Sequence, residues 1–456
     1  MKKCNVFIPI GALGMGVSKK SVETAIALSP DIIACDAGST DSGPYYLGTG
    51  TCKYARESIK RDLRLIIEAG QRLKVPVVIG SCGTCGSDRG VDENADILAE
   101  ICQEADYRLK LAKIYSGQNP ETLIQKYQNG KIIPLEEAPE IGEYTFLECS
   151  NIVALAGVEP FVKALEKGVD VILCGRATDT AAIAALPLIK GCDPASVWHA
   201  AKIGECGGIC ATKPTGGLFL WCDEEGVTIQ ATEPGNSVTV YSASAHMLYE
   251  NTSPYEIIEP GVFVDVKDCV YTAIDDDKVR ITGAVYQETP YTLKLEGSGP
   301  VGYQTLSLVG IVDDRVLADP ITWIDALSTH AKEQLKKVGL STGFTYSLRA
   351  YGYNAVTGMP PSPGQIPCEL GLLLTVTANT QELATKVAKI FNPILLHFPV
   401  AEDEQMTSFA FPFSPAEVEK GIVYEFKLNH IVKVDDPMEL IRIEYSNISP
   451  VRKGDN

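Results

Sequence analysis

The sequence has few histidines, fewer basic than acidic residues, and no long apolar run. None of its 5 histidines lies in an H-E-x-x-H motif or a nucleophile elbow. Lys and Arg number 40 against 58 Asp and Glu, which gives a formal net charge of −18. This charge repels nucleic acid and anionic lipid, and no run approaches the roughly 18 apolar residues of a membrane span. We therefore expect no nucleic-acid partner and no membrane segment.

Motifs for common cofactors are also missing or incomplete. The chain has no Walker phosphate loop, and the glycines of residues 11–16 have the wrong spacing for a dinucleotide fingerprint. Cys82-Gly-Thr-Cys85 has the C-x-x-C spacing, but the chain lacks the second pair that a zinc ribbon requires. From these patterns we predict no cofactor and no metal site.

The 14 cysteines are many for a chain of 456 residues. The first residues carry two lysines and an apolar run too short for a signal peptide, so we expect a cytoplasmic protein without a disulfide framework. In the loops, Cys82 and Cys85 could form a redox pair, or could join Cys206 in holding an iron–sulfur cluster. A tight Gly-rich turn with incidental cysteines is the simpler interpretation, and the iron–sulfur cluster stays as an alternative.

The pattern of apolar residues predicts an α/β protein with more than one domain. The composition is that of a globular chain, with 45% hydrophobic and 21% charged residues. Strand-like and helix-like segments alternate at first, which favours a mostly parallel sheet flanked by helices. The clearest helix is 53–74, where Ile59, Leu63 and Ile66 fall on one stripe. The predicted strands of this part are 5–10, 31–35, 75–79, 107–115, 145–153 and 170–173.

We place a domain boundary near residue 340. Residues 1–340 form the predicted α/β domain, and its part 204–316 is a β-rich elaboration. Residues 344–456 form a predicted small α+β domain with a ferredoxin-like order. The strands predicted in the β-rich part are 217–222, 227–231, 238–241 and 279–284, followed by a helix at 323–338. The small domain has predicted strands at 345–350, 369–378 and 421–428 and a helix at 380–397.

Three loops of Gly, Ser, Thr and Asp each follow a predicted buried strand, at residues 35–44, 80–88 and 174–179. Loops that open into a helix present backbone N–H groups and short side chains, which suit a carboxylate or a phosphate. In α/β sheets such loops meet at the carboxyl ends of the strands. We therefore predict a substrate-binding site formed by Asp36, Gly38, Ser39, Thr40, Ser42, Ser81, Cys82, Gly83, Thr84 and Arg176.

Arg176 is the most specific ligand candidate in these loops. It directly follows an apolar strand, and its planar guanidinium can hold a substrate carboxylate, with Asp179 to orient it. The alternative is a structural salt bridge within the domain. If Arg176 binds substrate, Arg176→Ala should lower turnover without loss of folding.

Several segments resemble the acyclic terpene utilisation (AtuA) family. Residues 167–179 look like its G-A-D-V-V-x-T-G-R-x-A-D stretch, and residues 204–208 are similar to its E-C-G motif. Residues 248–260 are similar to its L-x-Y-E…P-x-x-Y-x-x-P segment, and the GSTDSGPYYLGTG run at 38–50 looks like one subgroup. The resemblance covers residues 5–340. It implies a role near terpenoid breakdown through CoA thioesters, with a small ferredoxin-like domain fused or separate.

Together these observations predict a cytoplasmic metabolic enzyme, either a lyase of the hydratase type or an isomerase. Its substrate would be a small carboxylic acid or an acyl-CoA thioester. Proton transfer next to a carbonyl needs an acid and a base, and the catalytic candidates are Glu205, Cys206, Asp41 and Asp179. One alternative is a non-catalytic ligand-binding or partner subunit of a catabolic complex, and another is an iron–sulfur-dependent hydro-lyase. We also expect a homo-oligomer, with a small partner subunit as a further option.

Overall fold

The fold is taken from a computed structural model that describes residues 2–249, 251, 253–359, 362, 365–401 and 409–450. Its strands are β1 (Cys4–Ile8), β2 (Ile32–Asp36), β3 (Val77–Gly80), β4 (Leu109–Tyr115), β5 (Ile132–Pro134), β6 (Asn151–Ala154), β7 (Val171–Cys174), β8 (Leu218–Cys222), β9 (Val227–Ala231), β10 (Glu256–Glu259), β11 (Val262–Asp265), β12 (Val270–Asp275), β13 (Lys278–Thr282), β14 (Val285–Glu288), β15 (Thr292–Ile311), β16 (Phe344–Tyr351), β17 (Leu370–Ala378), β18 (Phe409–Ala410), β19 (Glu417–Lys433) and β20 (Arg442–Ile448).

The helices of the described residues are α1 (Lys19–Leu28), α2 (Pro44–Thr49), α3 (Arg56–Leu73), α4 (Asp88–Ala105), α5 (Pro120–Gln128), α6 (Glu143–Glu148), α7 (Glu159–Glu166), α8 (Ala181–Ile189), α9 (Pro194–Gly204), α10 (Val240–His246), α11 (Asp314–Ala318), α12 (Pro320–Lys337) and α13 (Gln381–His397). Short 3₁₀ helices occur at Thr40–Ser42 and Gly207–Cys210. Over the described ranges, none of these helices combines the length and the apolar character needed to cross a membrane.

The chain forms two compact units. The first contains Met1–Gly299 together with Phe426–Asn456, and the second contains Pro300–Glu425. The boundary that we predicted near residue 340 falls inside the second unit. The assignment of functional domains to 1–340 and 344–456 stays a prediction.

A ten-stranded mixed sheet forms the centre of the first unit. Its middle strands pair in parallel in the order β1-β2-β3-β7-β4. Antiparallel strands extend it on both sides, with β8, β9, β13 and β12 beyond β1 and β20 beyond β4. The predicted α/β class with a β-rich elaboration is confirmed, and the parallel pairing is confined to the middle of the sheet.

The parallel strands are apolar along both faces because helices cover both sides of the sheet. β2 and β7 are buried along their whole length, as expected inside a parallel sheet. Ile32 and Ile172 pack into the core on one side, whereas Ile33 and Leu173 pack into the core on the other. Successive side chains of one strand therefore contribute to opposite cores.

The second unit has the β-α-β-β-α-β order of ferredoxin-like folds. Its sheet has the order β16-β17-β15-β19 and uses the later part of β15 and the first part of β19. Trp323 and Leu327 of α12 and Phe391 and Leu395 of α13 lie in its core. The predicted α+β arrangement is confirmed, but it includes β15 and α12, which precede the predicted boundary.

Three predicted strands differ from the observed elements. Residues 145–153 contain the end of α6 and then β6, and at the start of α6 the Gly142 N–H donates to the Thr145 hydroxyl (3.1 Å). Residues 238–241 lead into α10, because Thr239 and Ser242 form a capping box. Residues 421–428 belong to the longer β19, and β20 follows it as a partner of β4. In the first two cases local capping overrides a β-rich composition.

Candidate functional site

A cavity of about 540 Å³ lies at the carboxyl ends of the parallel strands. The loops after β1, β2, β3 and β7 contribute to its lining, as does the segment after α9. Parallel strands bring their carboxyl ends to one edge of the sheet, so residues distant in the chain meet there. The predicted site residues that line it are Asp36, Gly38, Ser39, Asp41, Ser42, Thr84, Asp179, Glu205 and Cys206.

The other predicted site residues do not line this cavity but shape its loops. The Thr40 hydroxyl donates to Glu296 Oε2 (3.0 Å). A Cβ on Gly83 would lie 2.8 Å from the Cys52 sulfur, so the chain approaches closely there. The residues outside the lining are Thr40, Ser81, Cys82, Gly83 and Arg176.

The Arg176 guanidinium is buried and bound by protein groups. Its Nε donates to Glu296 Oε2 (3.2 Å), and its Nη1 donates to Asp179 Oδ1 (3.1 Å) and Ser81 Oγ (3.1 Å). Burial opposes the charged form, but the charges of Glu296 and Asp179 outweigh it and raise the pKa of Arg176. Arg176 is thus a fixed cation that holds Asp179, and its binding of a substrate carboxylate stays a prediction.

Asp36 is a buried carboxyl group at the end of β2. Its Oδ2 accepts a hydrogen bond from the Gly38 N–H (2.8 Å), whereas Oδ1 accepts none of good geometry from the described residues. Burial raises the pKa of Asp36 well above its usual range, and the charge of Asp179 adds to this effect. Arg176 and the nearby Ser81 hydroxyl act in the opposite direction without reversing it. Burial therefore shifts the Asp36 carboxyl toward its neutral form.

Glu205 directly follows α9, one turn after Lys202, whose Nζ donates a hydrogen bond to Glu205 Oε1. Burial raises the pKa of Glu205 well above its usual range, and the charge of Asp179 adds to this against the effect of Lys202. Glu259 acts on the same group, and burial raises its own pKa to about 7. Several carboxyl groups therefore lie near one another with few cations between them. Together with burial, this raises the pKa values of Glu205 and Glu259.

The loop after β1 is held by a buried carboxylate of α3. Asp62 accepts hydrogen bonds from the backbone N–H groups of Gly14 (3.0 Å), Gly16 (2.9 Å) and Val17 (3.0 Å). Gly14 and Gly16 have φ angles of 108° and 120°, a region that favours glycine. Met15 and Gly16 line the cavity, so Asp62 fixes part of the cavity wall.

Several residues of the lining were not among the predicted ones. Lys53 supplies a cation to the lining, with an exposed side chain whose Nζ lies 5.3 Å from the centre of the Tyr54 ring. The predicted helix 53–74 included Lys53, but α3 begins at Arg56 and leaves Lys53 in the preceding loop. For the β1 loop, the glycines of residues 11–16 were the available signal. The other lining residues missed include Met15, Tyr54, Ile209 and Tyr249.

Only one of the three cysteines of the iron–sulfur alternative is part of the cavity lining. Cys206 lines the cavity, whereas Cys82 and Cys85 do not. Within the ranges that the structure describes, no group of three or more His, Cys, Asp or Glu side chains is arranged to hold a metal ion. The iron–sulfur alternative therefore rests on sequence spacing alone.

A comparison with protein families gives a match along most of the chain. A family model described as "Acyclic terpene utilisation family protein AtuA" matches residues 52–219 and 219–409. The match includes Thr84, Arg176, Asp179 and Glu205, while the run at 38–50 lies outside it. No curated protein and no solved structure matches the chain.

Proposed function

Because the chain belongs to the acyclic terpene utilisation (AtuA) family, we propose that it is a cytoplasmic enzyme that takes part in the breakdown of acids. Its substrate would be a small carboxylic acid or an acyl-CoA thioester, and the enzyme would move a proton on that substrate. The reaction would be that of a hydratase, another lyase or an isomerase. One observation carries this proposal: Asp36, Asp179 and Glu205 line one cavity but have different charge partners. Carboxyl groups whose surroundings favour different protonation states can divide the roles of acid and base.

Asp179 is the proposed general base. Its side chain is 31% exposed and pairs with the Arg176 guanidinium at 3.1 Å, which fixes the orientation of the carboxylate. Glu205 is the proposed general acid, because it is buried and its pKa is raised despite the hydrogen bond from Lys202. A base and an acid in one cavity can remove a proton from carbon and return one to the product.

Lys53 is the proposed binding group for the substrate carboxylate. It lines the cavity with an exposed side chain, and the hydroxyls of Ser39 and Ser42 lie on the same lining. Arg176 is bound by Glu296, Asp179 and Ser81, so we propose that it acts by positioning Asp179.

The test is hydrogen exchange from solvent into candidate substrates. The full-length protein is incubated in D₂O with a panel of small carboxylic acids and acyl-CoA thioesters, and deuterium at carbon is measured by mass spectrometry. For a compound that exchanges, Asp179→Asn and Glu205→Gln should each slow the exchange by about 100-fold or more. Asp96→Asn, an exposed carboxylate on α4, is the matched control and should leave the rate unchanged.

Two results would contradict this proposal. Exchange that survives both Asp179→Asn and Glu205→Gln would remove these groups from proton transfer. Saturable binding of panel compounds with no exchange in any of them would favour the non-catalytic ligand-binding subunit.

A further inference from the structure

We infer that Glu259 is a positioning residue of the proposed site, because its buried carboxyl holds the loop that contains Asp179 through a hydrogen bond with Thr180. This inference rests on the proposed function, in which Asp179 is the general base, and it specifies what keeps that base in place. It depends on the burial of Glu259, on the contacts of the threonine hydroxyls beside Asp179, and on the charges near the Glu259 carboxyl.

Glu259 is buried at a position of β10 where an apolar side chain would be expected. β10 buries Ile257 and Glu259, whereas the apolar Ile258 between them is 78% exposed. A buried carboxyl costs free energy unless its oxygens are hydrogen-bonded, and Glu259 Oε2 has no such partner among the described residues. Exceptions to the usual pattern of burial are most common at functional sites. The contacts of the other oxygen, Oε1, indicate what this carboxyl does.

The Thr180 hydroxyl binds Glu259 instead of capping a helix. Thr180 directly precedes α8, a position at which a threonine hydroxyl commonly accepts a hydrogen bond from a backbone N–H of the first turn. No N–H of α8 donates to it here, and the hydroxyl donates to Glu259 Oε1 (2.6 Å). Thr180 is 1% exposed, so this hydrogen bond is shielded from water.

This hydrogen bond links Glu259 to both chain neighbours of Asp179. Thr178 Oγ1 lies 3.3 Å from Thr180 Oγ1, so the hydroxyls on either side of Asp179 are connected to one carboxyl. Arg176 binds the Asp179 carboxylate itself (3.1 Å). Arg176 therefore orients the side chain of the proposed base, while Glu259 holds the loop. Both matter, because a displacement of about 1 Å can slow a reaction by about 100-fold.

The Glu259 carboxyl also lies among charged groups of the proposed site. The titratable and charged groups that act on it or feel its charge are Asp179, Lys202, Glu205 and Tyr291, whose hydroxyl binds Glu159. Burial raises the pKa of Glu259 to about 7, the charge of Lys202 opposes this effect, and the charge of Asp179 adds to it. Burial likewise raises the pKa of the proposed acid Glu205, and the charge of Glu259 adds to that. Loss of this charge should therefore change the pH dependence of the reaction.

The test combines deuterium uptake by substrate with exchange of backbone amides, both in the full-length protein. Thr180→Val keeps the shape of the side chain and removes the hydroxyl. Without ligand, it should speed amide exchange in a peptide covering residues 178–184 about tenfold, because one buried hydrogen bond is lost. For a compound that takes up deuterium, it should lower kcat about tenfold and leave KM within about twofold. Thr180→Ser retains the hydroxyl and should restore both values, and the control Thr122→Val alters an exposed threonine on α5.

Glu259→Gln separates the charge of Glu259 from its hydrogen bond. The amide oxygen can still accept from Thr180, so amide exchange at 178–184 should match that of the original protein. Deuterium uptake by substrate should fall at high pH as Glu205 loses its proton. Because the charge at position 259 raises the pKa of Glu205, this fall should begin at a lower pH in Glu259→Gln. Glu256→Gln, an exposed glutamate on the same strand, is the matched control and should leave the pH profile unchanged.

Thermal unfolding shows first whether each variant folds, and Thr180→Ala replaces Thr180→Val if the valine variant does not. Unchanged amide exchange at 178–184 in a folded Val or Ala variant would overturn the inference. Faster amide exchange with an unchanged kcat would also overturn it, because the loop would then move without effect on the base. An unchanged pH profile in Glu259→Gln would contradict the effect of its charge on Glu205. If no compound takes up deuterium while amide exchange depends on the Thr180 hydroxyl, the proposed function fails and the role of Glu259 in holding the loop stands.

Discussion

At the scale of single residues, Arg176 shows how a plausible substrate ligand can be occupied by the protein itself. Its guanidinium is 6% exposed, as is the side chain of Glu296, and the two pair at 3.2 Å. Charges of Arg176 and Lys294 lower the pKa of Glu296 despite its burial. A buried ion pair adds little net stability, but removal of one partner leaves a buried charge uncompensated.

We therefore expect Arg176→Ala to lower the free energy of unfolding by about 3–5 kcal/mol. This replaces the expectation from the sequence alone that this variant would fold normally. The double variant Arg176→Met with Glu296→Leu should recover part of the loss, because it also removes the buried Glu296 carboxylate that Arg176→Ala leaves without its partner. Urea unfolding of both variants measures the difference. A double variant no more stable than Arg176→Ala would show that the ion pair is not the cause.

At the scale of elements, α3 combines a structural role with a role at the site. Its Arg56, Lys60 and Arg64 repeat every four residues and pair with Glu100 and Glu104 of α4. These pairs are largely exposed and are screened by salt, so they add little to stability. The buried Asp62 on another face of the same helix matters more, because it binds the β1 loop.

We expect Asp62→Asn to lower the free energy of unfolding by about 1–3 kcal/mol, because an amide nitrogen then faces backbone donors. It should also weaken ligand binding, since Met15 and Gly16 line the cavity. Arg61→Ala is the matched control: Arg61 contacts the same carboxylate but is 55% exposed, so its loss should be smaller. Denaturant unfolding compares the two variants, and equal losses would mean that the backbone hydrogen bonds of Asp62 contribute little.

At the scale of the whole molecule, the second unit carries a complete core of its own. Trp323, Leu327, Leu372, Leu374 and Phe391 pack together, and all belong to residues 300–425. Its central strand β15 lies between β17 and β19. A fragment that begins after β15 would lack the strand that joins the two halves of this sheet.

We expect a fragment of residues 300–425 to unfold cooperatively on heating, because it contains every strand and helix of the ferredoxin-like order. A fragment of residues 344–456, the predicted small domain, should show no cooperative transition. Circular dichroism during thermal unfolding distinguishes the two. Cooperative unfolding of 344–456 alone would support the boundary near residue 340 and contradict this expectation.

The sequence by itself determined the parts of the structure that depend on local pattern. Buried runs such as β2 and β7 predict parallel strands, and the polar loops after them predict residues of one sheet edge. For this reason Asp36 and Asp179 could be named before the fold was known, whereas Glu205 follows α9 and was named from the segment 204–208. The strands predicted at 145–153 and 238–241 show the limit, since a few capping hydrogen bonds changed the element type.

Only the tertiary structure decided what each side chain meets. Glu296 lies 120 positions from Arg176 in the chain, and no local pattern links the two. The loop that contains Thr84 is likewise bound to a distant part of the chain, since Ser81 N–H donates to Gly175 O and Arg176 N–H donates to Gly86 O. The periodicity of apolar residues predicts which face of a helix or strand is buried. Ion pairs and pKa shifts depend instead on which distant elements pack together, and the complete fold determines this packing.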